Sequence, residues 1–216
     1  MREETIAAIE KEKIIAIVRG ADAEVLIPLV QAMYDGGIRL LEVAYDAGGR
    51  VSDEETARRI AMLADRFGGK MRIGAGTVLR EEQAALTRSA GGTFIISPDT
   101  YAPVIEKTRS LGMVSIPGAM TPTEIQVAHR LGADFIKIFH AGTLGAEYVK
   151  AVKAPLSHVK LLAVGGVTAE NMKQFLDAGI SGFGIGSAIT DKAAIQDKDY
   201  GRITALARKY TEAAGA

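Results

Sequence analysis

The sequence predicts a (β/α)₈ TIM barrel, and three observations carry that prediction. Short β-branched and aromatic runs alternate with helix-patterned segments from end to end. One such run plus one helix recurs eight times, at roughly 20–33 residues per unit. The chain has 216 residues, which suits one barrel domain over 1–216 and is short for two. The alternative is an open doubly wound sheet, which ordinarily has fewer strands and opens its first helix with a glycine fingerprint. Here the first strand runs into "RGADAEV", without one.

Taken in order, strands are expected at Ile14–Arg19 (IIAIVR), Arg39–Tyr45 (RLLEVAY), Met71–Val78 (MRIGAGTV) and Thr93–Pro98 (TFIISP). The other four are Val114–Gly118 (VSIPG), Phe135–Phe139 (FIKIF), Lys160–Gly166 (KLLAVGG) and Gly182–Ser187 (GFGIGS). Ahead of them, "MREETIAAIEKEK" is charged and amphipathic and lacks the apolar core of a signal peptide; it reads as a capping helix. Segments such as "AEVLIPLVQAMYDGG" and "DEETARRIAMLADRFGG" end in glycine, the usual stop for a helix. "TPTE" at Thr121–Glu124 is a start signal: a threonine cap, proline in the first turn, and glutamate three residues after the cap. "YGRITALARKYTEAAGA" reads as a closing helix.

Composition narrows the function. Lys plus Arg is 26 and Asp plus Glu is 26, so no global charge points to nucleic acid or an anionic membrane. The absence of cysteine excludes disulfides and thiolate chemistry and fits the cytoplasm. No apolar run approaches a membrane span. His129, His140 and His158 are dispersed without metal-ligand spacing, so neither a metal nor a cofactor is expected. His129 and His158 read as surface residues, and His140 as a residue at the barrel mouth.

Barrels of this kind carry their chemistry at the C-terminal ends of the strands. Lys137 sits in the middle of "FIKIF", where an unpaired ammonium is costly. Strand alternation puts Phe135, Lys137 and Phe139 on one face, and Leu40, Glu42 and Ala44 on one face of the second strand. Both strands are even-numbered and contribute to the same interior layers. Lys137 and Glu42 therefore meet if both faces point inward. One reading is a buried ion pair. The other is chemical: desolvation keeps the amine neutral enough to attack a carbonyl as a Schiff base, and Glu42 moves the protons.

The seventh and eighth strands lead into the glycine turns "AVGGVTAEN" and "GIGSAI". Gly165 and Gly166 precede a helix expected to be capped near Thr168, and Gly186 and Ser187 precede a short turn. Such backbone amides bind phosphate, and this is the usual phosphate position of the fold; the plain alternative is that the glycines only permit tight turns. Thr77 can offer a hydroxyl to a carboxylate. Arg19 can clamp an anion or tie down a loop. Pro98 and Phe139 would wall the pocket.

Together these segments resemble the 2-keto-3-deoxy-6-phosphogluconate / 4-hydroxy-2-oxoglutarate aldolases. The likeness runs through "IIAIVRG", "LLEVAY", "IGAGTVL", "FIISP", "IPGAMTPTEI", "FIKIF" and "AVGGVTAENMKQFLDAGISGFGIGS" in the family's order. It implies a (β/α)₈ barrel assembled as a homotrimer, with Lys137 as the Schiff-base lysine and Glu42 as the general acid/base. It implies that Thr77 helps hold a pyruvate carboxylate, and that Gly165, Gly166, Gly186 and Ser187 hold phosphate. The implied reaction cleaves a phosphorylated 2-keto-3-deoxy acid to pyruvate and D-glyceraldehyde 3-phosphate. Alternatives are cleavage of 4-hydroxy-2-oxoglutarate to pyruvate and glyoxylate, an isomerase or synthase without a Schiff base, and a non-catalytic metabolite-binding barrel. Three positions depart from the common pattern: His140 where many members have proline, Val164 where many have threonine, and Asp46 where many have arginine. Val164 and "IAIVRG" resemble the 2-dehydro-3-deoxy-6-phosphogalactonate branch. Asp46 would repel an acidic substrate unless Arg19 or Arg50 compensates.

Overall fold

In a computed structural model describing residues 1–216, the chain opens with helix α1 (Arg2–Glu12) and then alternates strand and helix. The strands are β1 (Ile14–Val18), β2 (Leu40–Ala44), β3 (Arg72–Gly76), β4 (Phe94–Ile96), β5 (Val114–Ile116), β6 (Gly118–Ala119), β7 (Ile136–Phe139), β8 (Leu161–Val164) and β9 (Gly182–Ile185). The helices after α1 are α2 (Ala23–Asp35), α3 (Asp53–Phe67), α4 (Glu81–Ser89), α5 (Ala102–Ser110), α6 (Pro122–Arg130), α7 (Ala141–Lys153), α8 (Met172–Asp177), α9 (Lys192–Gln196) and α10 (Tyr200–Ala214).

Every strand pairing is parallel, in the order β5-β4-β3-β2-β1-β9-β8-β7-β6. The two ends of that order, β5 and β6, are separated in the chain only by Pro117. They are the halves of the fifth expected strand. Proline has no N–H to give to a ladder, so the strand breaks there. β5 pairs with β4 and β6 with β7, which closes the ring. The observed strands are shorter than the runs that announce them. Arg19, Thr77, Pro98, Gly165, Gly166, Gly186 and Ser187 all lie just past a strand's C-terminal end, where the chain turns into the loops.

Inside the ring, Ile15, Leu40, Phe94, Ile96, Val114, Ile116, Phe135 and Leu162 form one apolar cluster with Ile9 of α1. Ile9 is completely buried and plugs the N-terminal end of the barrel. Arg2 binds Asp134, and Arg72–Glu4 at 3.1 Å and Lys160–Glu10 at 2.6 Å hold the same helix down. A second, larger cluster packs the outer strand faces against the helices. At the start of α6 the expected capping box is present: Glu124 N donates to Thr121 Oγ1 at 3.3 Å, and Thr121 N donates to Glu124 Oε2 at 2.7 Å. One surface assignment changes. His129 is half-buried, because its ring meets that of His158 edge-on with centroids 4.9 Å apart. No helix is long and apolar enough to cross a membrane.

Candidate active site

Leu40 belongs to the inner cluster, so alternation along β2 turns Glu42 inward above it. Phe135 fixes the phase of β7 in the same way and turns Lys137 inward. Glu42 lies in register between Ile17 and Gly74, and Lys137 between Gly118 and Leu162. Glu42 is only 2% exposed. Room for its carboxylate comes from Gly76 on β3: a Cβ there would overlap Glu42 Oε1.

Burial pushes the Glu42 carboxyl up from 4.5, and the charges of Lys137 and Arg19 pull it partly back. Burial also pushes the Lys137 ammonium down from 10.5; Glu42 opposes that shift and Arg19 adds to it. Both groups are thus biased toward their neutral forms. Glu42 Oε2 is buried and receives no hydrogen bond from the chain. The two groups feel each other's charge without a hydrogen bond joining them, which separates this arrangement from a closed ion pair. Lys137 Nζ stands 4.8 Å from the centre of the Phe139 ring, and that phenylalanine is itself about half exposed.

Around this pair lie the loops. Arg19 Nη2 donates to Thr77 Oγ1 at 3.0 Å, so it ties a loop and also faces the interior charges. Thr77 has φ 57°, a left-handed conformation that a β-branched residue holds only where its surroundings enforce it. Two residues on, the loop is held by Gln83, a buried residue that sequence reasoning missed. Its Oε1 accepts from Leu79 N at 2.8 Å and its Nε2 donates to Asp53 Oδ1 at 3.0 Å. Asp46 does not project a free charge into the site. It accepts from the backbone N–H groups of Gly48, Arg50 and Val51, and from Arg50 Nε at 3.3 Å. Those bonds hold its carboxyl below the usual range.

Next to Phe139 opens a cavity of about 360 Å³, lined among others by Arg19, His140, Val164, Gly165, Gly166, Gly186 and Ser187. The structure thus gathers both glycine turns and Val164 in one place. Gly165 and Gly166 have φ 85° and 69°, and neither of their amides, nor those of Gly186 and Ser187, donates within the chain. One expectation is corrected. The helix after Gly165–Gly166 begins at Met172, not at Thr168. Thr168 and Asn171 bond each other reciprocally, Thr168 N to Asn171 Oδ1 at 2.8 Å and Asn171 N to Thr168 Oγ1 at 3.3 Å. They form a turn that delays the helix, so the amides here are loop amides. Pro98 does not line this cavity; it is exposed at the end of β4, with its carbonyl against Gly118. A smaller cleft of about 130 Å³, beside Arg39, Lys70 and Arg72, lies at the opposite end of the barrel, away from these groups.

Fold and site define a class: a parallel-barrel enzyme whose polar groups gather at the C-terminal ends of its strands. Within that class, the chain belongs to the KDPG and KHG aldolase family, whose model matches residues 5–206. It is 34% identical over 204 residues to the 2-dehydro-3-deoxy-6-phosphogalactonate aldolase of Escherichia coli K12, covering 94% of this chain and 97% of that one. It is 30% identical over 210 residues to the 2-dehydro-3-deoxy-phosphogluconate aldolase of Treponema pallidum, covering 96% of each. Among solved structures it is similar to the KDPG aldolase of Legionella pneumophila with pyruvate captured at low pH as a covalent carbinolamine intermediate. That match has a TM-score of 0.84 and 26% identity, and covers 94% of this chain and 96% of the other.

Proposed function

We propose that the protein is a class I aldolase that cleaves a 2-keto-3-deoxy-6-phospho sugar acid to pyruvate and D-glyceraldehyde 3-phosphate. The observation that carries this reading is the opposed bias of one buried pair, Lys137 pushed down and Glu42 pushed up by the same desolvation. The Lys137 amine adds to the C2 carbonyl to give a carbinolamine; protonated Glu42 gives its proton to the departing hydroxyl, which leaves as water, so an iminium and the Glu42 carboxylate remain. Glu42 takes the proton of the C4 hydroxyl as the C3–C4 bond breaks. The aldehyde departs, and the bond's electron pair is held as an enamine. Glu42 returns a proton to C3, and water releases pyruvate and restores the amine. Arg19 and Thr77 hold the substrate carboxylate, Phe139 walls the reacting carbons, and the amides of Gly165, Gly166, Gly186 and Ser187 take the phosphate.

Val164 bears on the C4 epimer. A valine in that wall offers no hydroxyl, and the 34% identical relative is a phosphogalactonate enzyme, which favours the galactonate-type acid. The same reading makes the chain a single barrel domain over 1–216, working in the cytoplasm as a homotrimer, and light scattering measures the last point directly. The decisive experiment is to incubate the protein with pyruvate, reduce with borohydride and map the adduct. A covalent mass on Lys137 is expected. Its absence rejects the Schiff base and leaves an isomerase, a synthase or a binding barrel. A substrate panel with both C4 epimers then ranks the acids by kcat/KM.

A further inference from the structure

The amides that form the proposed phosphate cradle are neutral, and a phosphate is not. Two side chains lining the cavity can carry positive charge, Arg19 and His140. Arg19 is turned to Thr77, on the side where the carboxylate is expected, which leaves His140. The imidazole lies against the Gly165–Gly166 pair: a Cβ at either glycine would collide with the ring, and the position it would take at Gly165 is 2.9 Å from His140 Nε2. Glycine at both positions is therefore what admits the imidazole beside these two amides. Its other nitrogen, Nδ1, is 3.1 Å from Thr143 Oγ1. A threonine hydroxyl donating there leaves the proton on Nε2, so the neutral ring is a donor at Nε2, as the imidazolium is. Nε2 has no partner within the chain.

We infer that His140 is a specificity residue of this site, donating its Nε2–H to the terminal phosphate of the substrate beside the amides of Gly165 and Gly166. Thr143 is its positioning residue, holding Nδ1. The inference rests on the phosphate reading above and adds to it the side chain that distinguishes a phosphorylated acid from its unphosphorylated counterpart.

The test compares kcat/KM for a phosphorylated 2-keto-3-deoxy acid and the same acid without phosphate, in wild type, His140→Ala and His140→Gln. The preference for the phosphorylated acid should fall about 10- to 100-fold in His140→Ala, the span of one hydrogen bond to a charged group. Most of the loss should appear in KM. His140→Gln, which keeps an N–H at similar reach, should recover much of it. Inorganic phosphate should inhibit wild type competitively and His140→Ala more weakly. Equal losses on both acids, or no loss on either, overturn the inference. If wild type itself shows no preference for the phosphorylated acid, the phosphate reading falls and the inference with it. Borohydride trapping of pyruvate on wild-type Lys137 needs no phosphate, so it reports the Schiff-base reading separately.

Discussion

Glu42 is the proton carrier of the proposed mechanism, and the same burial that fits it for that role is a cost to the folded barrel. Replacing it with glutamine keeps the shape and removes the proton carrier, and kcat is expected to fall by about 10²–10⁴-fold, as loss of a positioned acid/base does. Stability should move the other way. Burial raises the Glu42 carboxyl above 4.5 in the folded chain, so between 4.5 and that raised value the folded state binds more protons than the unfolded one. Stability is then lost as pH rises through that window. Glu42→Gln removes this titration. Its melting temperature should exceed that of wild type at neutral pH, by about 2–4 °C for each kcal/mol recovered. The difference should close below pH 4.5, measured by thermal melts across pH. A variant that melts lower than wild type at neutral pH would show that the carboxylate is a net stabiliser. Lys137 was legible in the sequence because a charge inside an apolar run stands out. Glu42 was legible because alternation places it on the face of Leu40. Gln83 and Thr143 were not, since each acts on a loop whose course no local pattern specifies.

Among the elements, β3 has the strictest demand. Gly76→Ala would place a methyl where Glu42 Oε1 lies, so the carboxylate must move. Activity is expected to drop at least as far as in Glu42→Gln, with a loss of melting temperature that Glu42→Gln does not show. An isolated glycine in a strand pattern signals a close approach, and "GAG" carried that signal without saying what approaches. The capping box of α6 provides the contrast, because its whole logic is local and could be read directly. Thr121→Ala should cost about 1 kcal/mol in urea unfolding with kcat intact. The broken fifth strand shows the limit of such reading. Pro117 is visible in "VSIPG", but whether a proline ends a strand or splits it depends on what pairs with each half.

For the molecule as a whole, alternation of runs and helices was enough to predict the barrel, since eight parallel strands with crossover helices leave few other closed arrangements. The plugging role of α1 needed the structure, because "ETIAAIEKEK" looks like any amphipathic surface helix. Ile9→Ala should destabilise the chain by about 2–5 kcal/mol in denaturant unfolding. Its kcat should be unchanged, since Ile9 lies at the end of the barrel remote from Lys137. A fall in kcat with stability retained would mean that the two ends are coupled.

The first strand meets the last where β1 pairs with β9, Ile14 beside Phe183, so the strand nearest the start must find the one nearest the end. Contacts of such long sequence separation form late. In the unfolded chain the Lys137 amine is hydrated, and the burial that pushes it down is absent. If Lys137 is the proposed nucleophile, its reactivity is timed by assembly, because the burial that pushes the amine down exists only in the folded barrel.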